Sequence, residues 1–177
     1  YNLSSGAGAI ILKKNHPVNQ VLGSHIIGDG TLARTAGVEI GGTKNPINES
    51  NINEAYKSLK LMDPLYMKER LNSVSFPNWL KCIDKSLEKS NAKRDDIDYL
   101  AILHIKRSGH NAMVNELKLD NSQTIYLEEY GHIGQIDQIL SLHLAQEQNK
   151  LHDGKLVCLL AAGIGYVWAS SIVRWGK

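Results

Sequence analysis

The chain has only two cysteines in 177 residues, Cys82 and Cys158. Their isolation excludes a disulfide framework and a zinc site, each of which needs clustered pairs. Cys158 lies within the apolar run from Leu156 to Leu160, and Cys82 flanks the stripe Phe76, Leu80, Ile83 and Leu87. Both thiols are therefore expected to be buried structural groups and not nucleophiles. Also missing is any apolar run of about 18 residues that would cross a bilayer, and the N-terminus has neither a basic n-region nor a signal-type apolar stretch. The 20 basic and 18 acidic residues are so dispersed that no basic block exceeds a pair, which argues against a nucleic-acid or membrane-surface partner. These absences predict a cytoplasmic protein.

What is present suits one soluble globular unit over residues 1–177. At 42% hydrophobic and 21% charged, the chain has enough apolar material for a sizeable core. It opens at Tyr1 without a methionine and goes straight into strand-like sequence, which reads as a fragment, a processed chain or an isolated domain.

Strand-like and helix-like segments alternate. Ala9–Leu12 and Val21–Ile27 read as strands around a polar turn, a hairpin-like opening closed by Gly28-Asp29-Gly30. Residues 33–50, rich in Gly, Thr, Asn and Pro, read as an exposed loop and a candidate pocket lid. Asn53–Leu61 has helical potential, and Asp63-Pro64 restarts a helix to about Leu71. Ser75 and Pro77 open an amphipathic helix to about Ser90. Ile97–Leu103 is a short strand, Ser108–Leu117 a helix and Thr124–Leu127 a strand. Ile133 to about Gln148 is a helix with Ile133, Ile136, Leu140 and Leu144 on one face, and strands 155–161 and 166–174 finish the chain. The pattern favours an α/β layer fold, a sheet covered by helices.

Several stretches in this order resemble the C-terminal half of the 3-oxoacyl-acyl-carrier-protein synthase III family, within the thiolase superfamily. They are Ser5-Gly6-Ala7-Gly8-Ala9, Gly28-Asp29-Gly30, Leu103-His104, Tyr130-Gly131-His132, the strand from Lys155 to Ala161, the turn Gly163-Ile164-Gly165 and the aromatic strand from Tyr166 to Trp175. The resemblance implies one lobe of a five-layer αβαβα sandwich with a mixed sheet. It also implies a cytoplasmic acyltransferase that uses acyl-coenzyme A or acyl carrier protein, acts as a homodimer and needs no cofactor or metal. The nucleophilic cysteine of that family belongs to its N-terminal half, so this chain would hold half of an active site and be inactive alone.

Claisen-type condensation, as in fatty acid or polyketide metabolism, needs an acylated cysteine, donors for the enolate of a decarboxylated malonyl unit, and backbone N–H groups for the oxyanion. Carried over residue by residue, the resemblance assigns the enolate donors to His104 and His132 and the oxyanion turn to Gly163, Ile164 and Gly165. Lys106 and Arg107, at the start of the next helix, are candidate contacts for coenzyme A phosphates or an acidic carrier protein. The chain departs from the family at Ser5 (usually aspartate), His132 (usually asparagine) and Ile164 (usually glycine). An imidazole at 132 donates, accepts or titrates. Acyl transfer to an oxygen or nitrogen nucleophile therefore stands as an alternative to condensation, and a noncatalytic lobe that binds an acyl ligand or partner protein as a third reading. His104 and His110 with Glu128 and Glu129 have no recognised metal spacing. Gly41-Gly42-Thr43-Lys44 lacks the spacing of a phosphate loop.

Overall fold

The computed structural model describes residues 3–177. In chain order the elements are β1 (Gln20–Gly28), β2 (Ala36–Val38), α1 (Ile52–Ala55), β3 (Leu59–Leu61), α2 (Pro64–Lys89), β4 (Tyr99–Ile102), α3 (Arg107–Glu116), α4 (Asp137–Glu147), β5 (Leu156–Gly163) and β6 (Val167–Arg174). A mixed sheet has the order β1-β6-β5-β4. β4 and β5 are parallel, with Tyr99 opposite Val157 and Ile102 opposite Leu160, while β6 is antiparallel to β5 and β1.

Alternation along the central strands divides the core in two. Leu100, Ile102, Leu156, Cys158 and Leu160 meet Ile83 and Leu87 of α2 and Met113 and Val114 of α3. Tyr99, Ala101, Val157 and Val173 meet Ala145 of α4 on the opposite face. The fold is thus the expected mixed sheet covered by helices. Among the described residues no helix is long and apolar enough to cross a membrane.

Four local expectations fail for identifiable reasons. The helix predicted to begin at Ser75 is the second half of α2, a single helix of 26 residues with Pro77 inside it. Its start is where the Asp63-Pro64 signal placed it, with the Tyr66 N–H donating to the Asp63 carboxylate at 3.1 Å. An interior proline removes one backbone hydrogen bond. Burial on both sides of Pro77 offsets this, since Met67, Leu71 and Val74 pack around Trp168 while Phe76, Trp79 and Leu80 pack on the sheet.

The opening hairpin does not form. β1 pairs with β6, and Ala9–Leu12 is in no ladder, with Ile11 93% exposed; an apolar run becomes a strand only where a partner backbone is present. Thr124–Leu127 makes one parallel bridge, Thr124 to Leu100. Within 53–61 the helix is limited to α1, and β3 pairs with β2 in a separate two-stranded ribbon that includes part of the predicted loop.

α2 crosses β1 at Gly23. A Cβ there would lie 2.4 Å from the Ser86 carbonyl oxygen, so only glycine allows this approach. α4 is turned in the opposite sense from an ordinary amphipathic helix. Its buried residues are Asp137, Gln138, Ser141 and Ala145. The Ser141 hydroxyl meets the Tyr99 hydroxyl at 2.9 Å, and the Gln138 amide donates to the Leu160 carbonyl at 2.8 Å. Ile136, Ile139 and Leu140 line a shallow groove with Ile133, Gly6 and Ala7. A Cβ on Gly6 would lie 2.8 Å from Ile133 Cγ2, and one on Gly8 3.1 Å from Ile136 Cγ2.

Candidate active site

Because β4 and β5 are parallel, their C-terminal ends deliver His104 and Gly163 to one edge of the sheet, where Leu103 N–H donates to the Leu160 carbonyl at 3.0 Å. Open α/β sheets bind ligands outside the carboxyl ends of such strands. The segment from Tyr130 to Ile136 brings His132 to the same edge. Gln135 lies beside the turn, since a Cβ on Gly163 would be 3.7 Å from its Nε2.

Asp137, at the first position of α4, ties the two histidines together. It is fully buried. One carboxylate oxygen accepts both the His104 backbone N–H at 2.7 Å and His132 Nδ1 at 2.6 Å, and the other accepts the Ile133 N–H at 2.7 Å. A buried carboxylate with three donors is a satisfied one. The sequence reading missed this residue. The available signal was a single acidic side chain five positions after His132.

His104 is 8% exposed and its ring lies 4.8 Å from that of Tyr126, tilted by 41°. Burial lowers its pKa from the ordinary histidine value. Asp137 opposes the shift, while His132 and Arg107 reinforce it. The imidazole is thereby favoured in its neutral form. Its Nδ1 is enclosed without a hydrogen-bond partner among the described residues, which leaves Nε2 to meet a ligand.

The Gly163-Ile164-Gly165 turn joins β5 to β6, with Ile164 61% exposed and Gly165 at φ +149°. Beyond it, Tyr166 and Asp29 exchange backbone hydrogen bonds at 2.8 and 3.1 Å, and Asp29 also accepts Arg70 Nε at 2.8 Å. Lys106 and Arg107 are exposed at the start of α3. The Arg107 guanidinium sits 3.9 Å above the Tyr126 ring and pairs with Glu128 at 2.5 Å, so it is engaged with the ring that packs on His104.

Both cysteines are buried. Cys82 lies under Trp168, whose carbonyl oxygen is 3.3 Å from the sulfur, and burial raises its thiol pKa. Burial pushes the Cys158 thiol up to about 12.

His110, 4% exposed on α3, meets the edge of Tyr126 at 5.1 Å. Burial, aided by Arg107 and His104, lowers its pKa to about 4. The unfolded chain therefore takes up a proton here first as pH falls. The stability tied to a neutral His110 is complete above pH 6.5 and is lost as pH falls through about 4. At about 1.4 kcal/mol per pKa unit this amounts to about 3 kcal/mol. Urea unfolding at pH 7 and pH 4.5 is expected to show a smaller acid loss in His110→Leu than in the wild type. Equal acid losses would contradict this.

The model for the C-terminal region of 3-oxoacyl-[acyl-carrier-protein (ACP)] synthase III matches residues 87–175. The beta-ketoacyl-[acyl-carrier-protein] synthase III of Caldanaerobacter subterraneus subsp. tengcongensis is 25% identical over 97% of the chain and 51% of its own length. The one from Microcystis aeruginosa is 24% identical over the same shares. The chain thus spans about half the length of the curated relatives it matches. The crystal structure of 3-oxoacyl-[acyl-carrier-protein] synthase III from Aquifex aeolicus VF5 superposes with a TM-score of 0.69 at 15% identity, over 92% of this chain and 46% of that one, which shows the shared fold. Half of the sequence, including His104, His132 and the glycine turn, falls under a single family model, and the chain belongs to the 3-oxoacyl-[acyl-carrier-protein] synthase III family.

Proposed function

We propose that this chain is the C-terminal lobe of an acyl-thioester transferase, in which His104 and His132 meet the thioester carbonyl and a preceding lobe supplies the cysteine nucleophile. The observation that carries this reading is the Asp137 carboxylate, which joins the His104 backbone and the His132 ring at the strand ends beside the glycine turn. Of the two imidazoles held at this edge, a ring N–H of His104 suits polarisation of a carbonyl oxygen, and the backbone N–H groups of the turn suit an oxyanion. The relatives' name denotes formation of a 3-oxoacyl chain with an acyl carrier protein, which supports acyl thioesters as substrates; acyl-coenzyme A or acyl carrier protein as the source of acyl groups and a homodimer as the working form complete the proposal.

The outer surface of the lobe supports the division of labour. Ile133, Ile136, Ile139 and Leu140 face away from the sheet, and Ile10, Ile11 and Leu12 stand exposed and unpaired. A preceding lobe packed there would bury aliphatic surface and give Ala9–Leu12 a strand partner.

Intact-mass analysis after incubation with acyl-coenzyme A tests the reading. The protein with its preceding lobe is expected to gain one acyl group on a cysteine of that lobe, and the 177-residue chain alone none. Stoichiometric acylation at Cys82 or Cys158 would overturn it.

A further inference from the structure

Resting on the reading of this site as one that handles acyl thioesters, we propose that Asp137 fixes His132 as a proton acceptor and that the acyl group passes to a hydroxyl or an amine. Both oxygens of Asp137 accept backbone N–H groups, and Oδ2 lies 2.6 Å from His132 Nδ1. A carboxylate already filled by donors takes the Nδ1–H of the ring, so the neutral imidazole has its lone pair on Nε2. The His132 side chain is 27% exposed, so the ring is not sealed from substrate. An asparagine offers an N–H at this place and steadies an enolate. A bare Nε2 repels an enolate and instead takes a proton from an arriving nucleophile.

His104 has the complementary state. An enclosed, unpartnered N–H is costlier than an enclosed lone pair, so Nδ1 is the bare nitrogen and Nε2 carries the proton. One ring donates to the thioester oxygen and the other accepts from the nucleophile. In the reaction R–CO–S–R′ + R″–OH → R–CO–O–R″ + HS–R′, the C–O bond forms as the hydroxyl proton moves to His132 Nε2. The C–S bond breaks with its electron pair on sulfur, and the imidazolium returns the proton to that thiolate. An amine follows the same course. A malonyl acceptor loses carbon dioxide and brings no proton for this base. Asp137 acts through His132 and is a positioning residue.

The test uses the full-length protein, acetyl-coenzyme A as donor, ethanolamine as a probe with a hydroxyl and an amine, and [¹⁴C]malonyl-coenzyme A as the competing acceptor. Two-bond ¹H–¹⁵N correlation spectra are expected to show the Nδ1–H tautomer for His132, and transfer to ethanolamine is expected to fall about 10²- to 10⁴-fold in His132→Asn, the range for loss of a general base. Asp137→Asn, close in volume, is expected to lose the Nδ1–H signature together with transfer. His132→Asn keeps Asp137 and its two backbone bonds, so it carries the test if Asp137→Asn does not fold. An Nε2–H tautomer overturns the proposal, as does acylation-dependent release of ¹⁴CO₂ that survives His132→Asn. Loading is read separately by intact mass, and a wild-type protein that never forms an acyl-enzyme overturns the thioester reading itself.

Discussion

His104→Ala in the full-length protein is expected to slow acyl transfer by about 10²- to 10³-fold, the usual effect of removing one preorganised oxyanion-type donor. On the proposed reading, in which a cysteine of a preceding lobe is loaded, the loss should fall on the transfer half-reaction. Three features make His104 a sensitive position. Burial favours its neutral form, its ring is held against Tyr126 at 4.8 Å, and its Nδ1 is enclosed, so Nε2 is its single working atom. The backbone bond from His104 N–H to Asp137 at 2.7 Å is kept in the alanine variant, so the strand end should hold its shape. Single-turnover transfer from the preformed acyl-enzyme is the measurement. A wild-type rate would remove His104 from the chemistry and leave the lobe with a family's fold alone.

Trp168→Ala is expected to destabilise the chain by about 3–5 kcal/mol, the range for deleting a buried large aromatic side chain. Trp168 is 1% exposed on β6, with Leu32 and Cys82 as fully buried neighbours and Met67, Leu71, Val74 and Trp79 of α2 around it. Those residues lie on both sides of Pro77, so the cavity also removes what holds the two halves of α2 in line. Chemical denaturation followed by Trp79 or Trp175 fluorescence reads the loss. A change below about 1 kcal/mol would show that α2 does not unfold with the sheet.

The elements that were legible in the sequence are those whose stability is local or whose periodicity is complete. β5 and β6 are continuous apolar runs that lie next to each other in the chain and in the sheet. The start of α2 was marked by Asp63-Pro64, and α3 follows the sequence reading to within one residue at each end. Ala9–Leu12 and Thr124–Leu127 have the composition of strands, but the first has no ladder partner and the second pairs with β4 only through the Thr124–Leu100 bridge. Pro77 was read as a beginning because an interior proline is tolerated only where tertiary burial offsets its missing bond, and sequence does not display that burial.

The site divides along the same line. His104, His132 and the Gly163–Gly165 turn were named from their order along the chain, and the structure brings them to one edge because β4 and β5 are parallel and in register. Asp137 carried only a weak signal, its place five residues after His132, because its importance lies in three hydrogen-bond donors, two of them backbone groups, which have no signature in a sequence. Arg107, a candidate contact for coenzyme A phosphates or an acidic carrier protein, also lies over Tyr126, a pairing made across 19 residues of chain.

By itself the sequence determined the layer class, the alternation of strand and helix and the burial of both thiols, because each follows from side-chain chemistry and short-range spacing, while the family resemblance singled out His104 and His132. Only the tertiary structure decided which strands pair, which face of α4 meets the sheet and that one carboxylate joins His104 to His132. Those are set by contacts between residues brought together by the fold, which exist only after the chain has closed on itself.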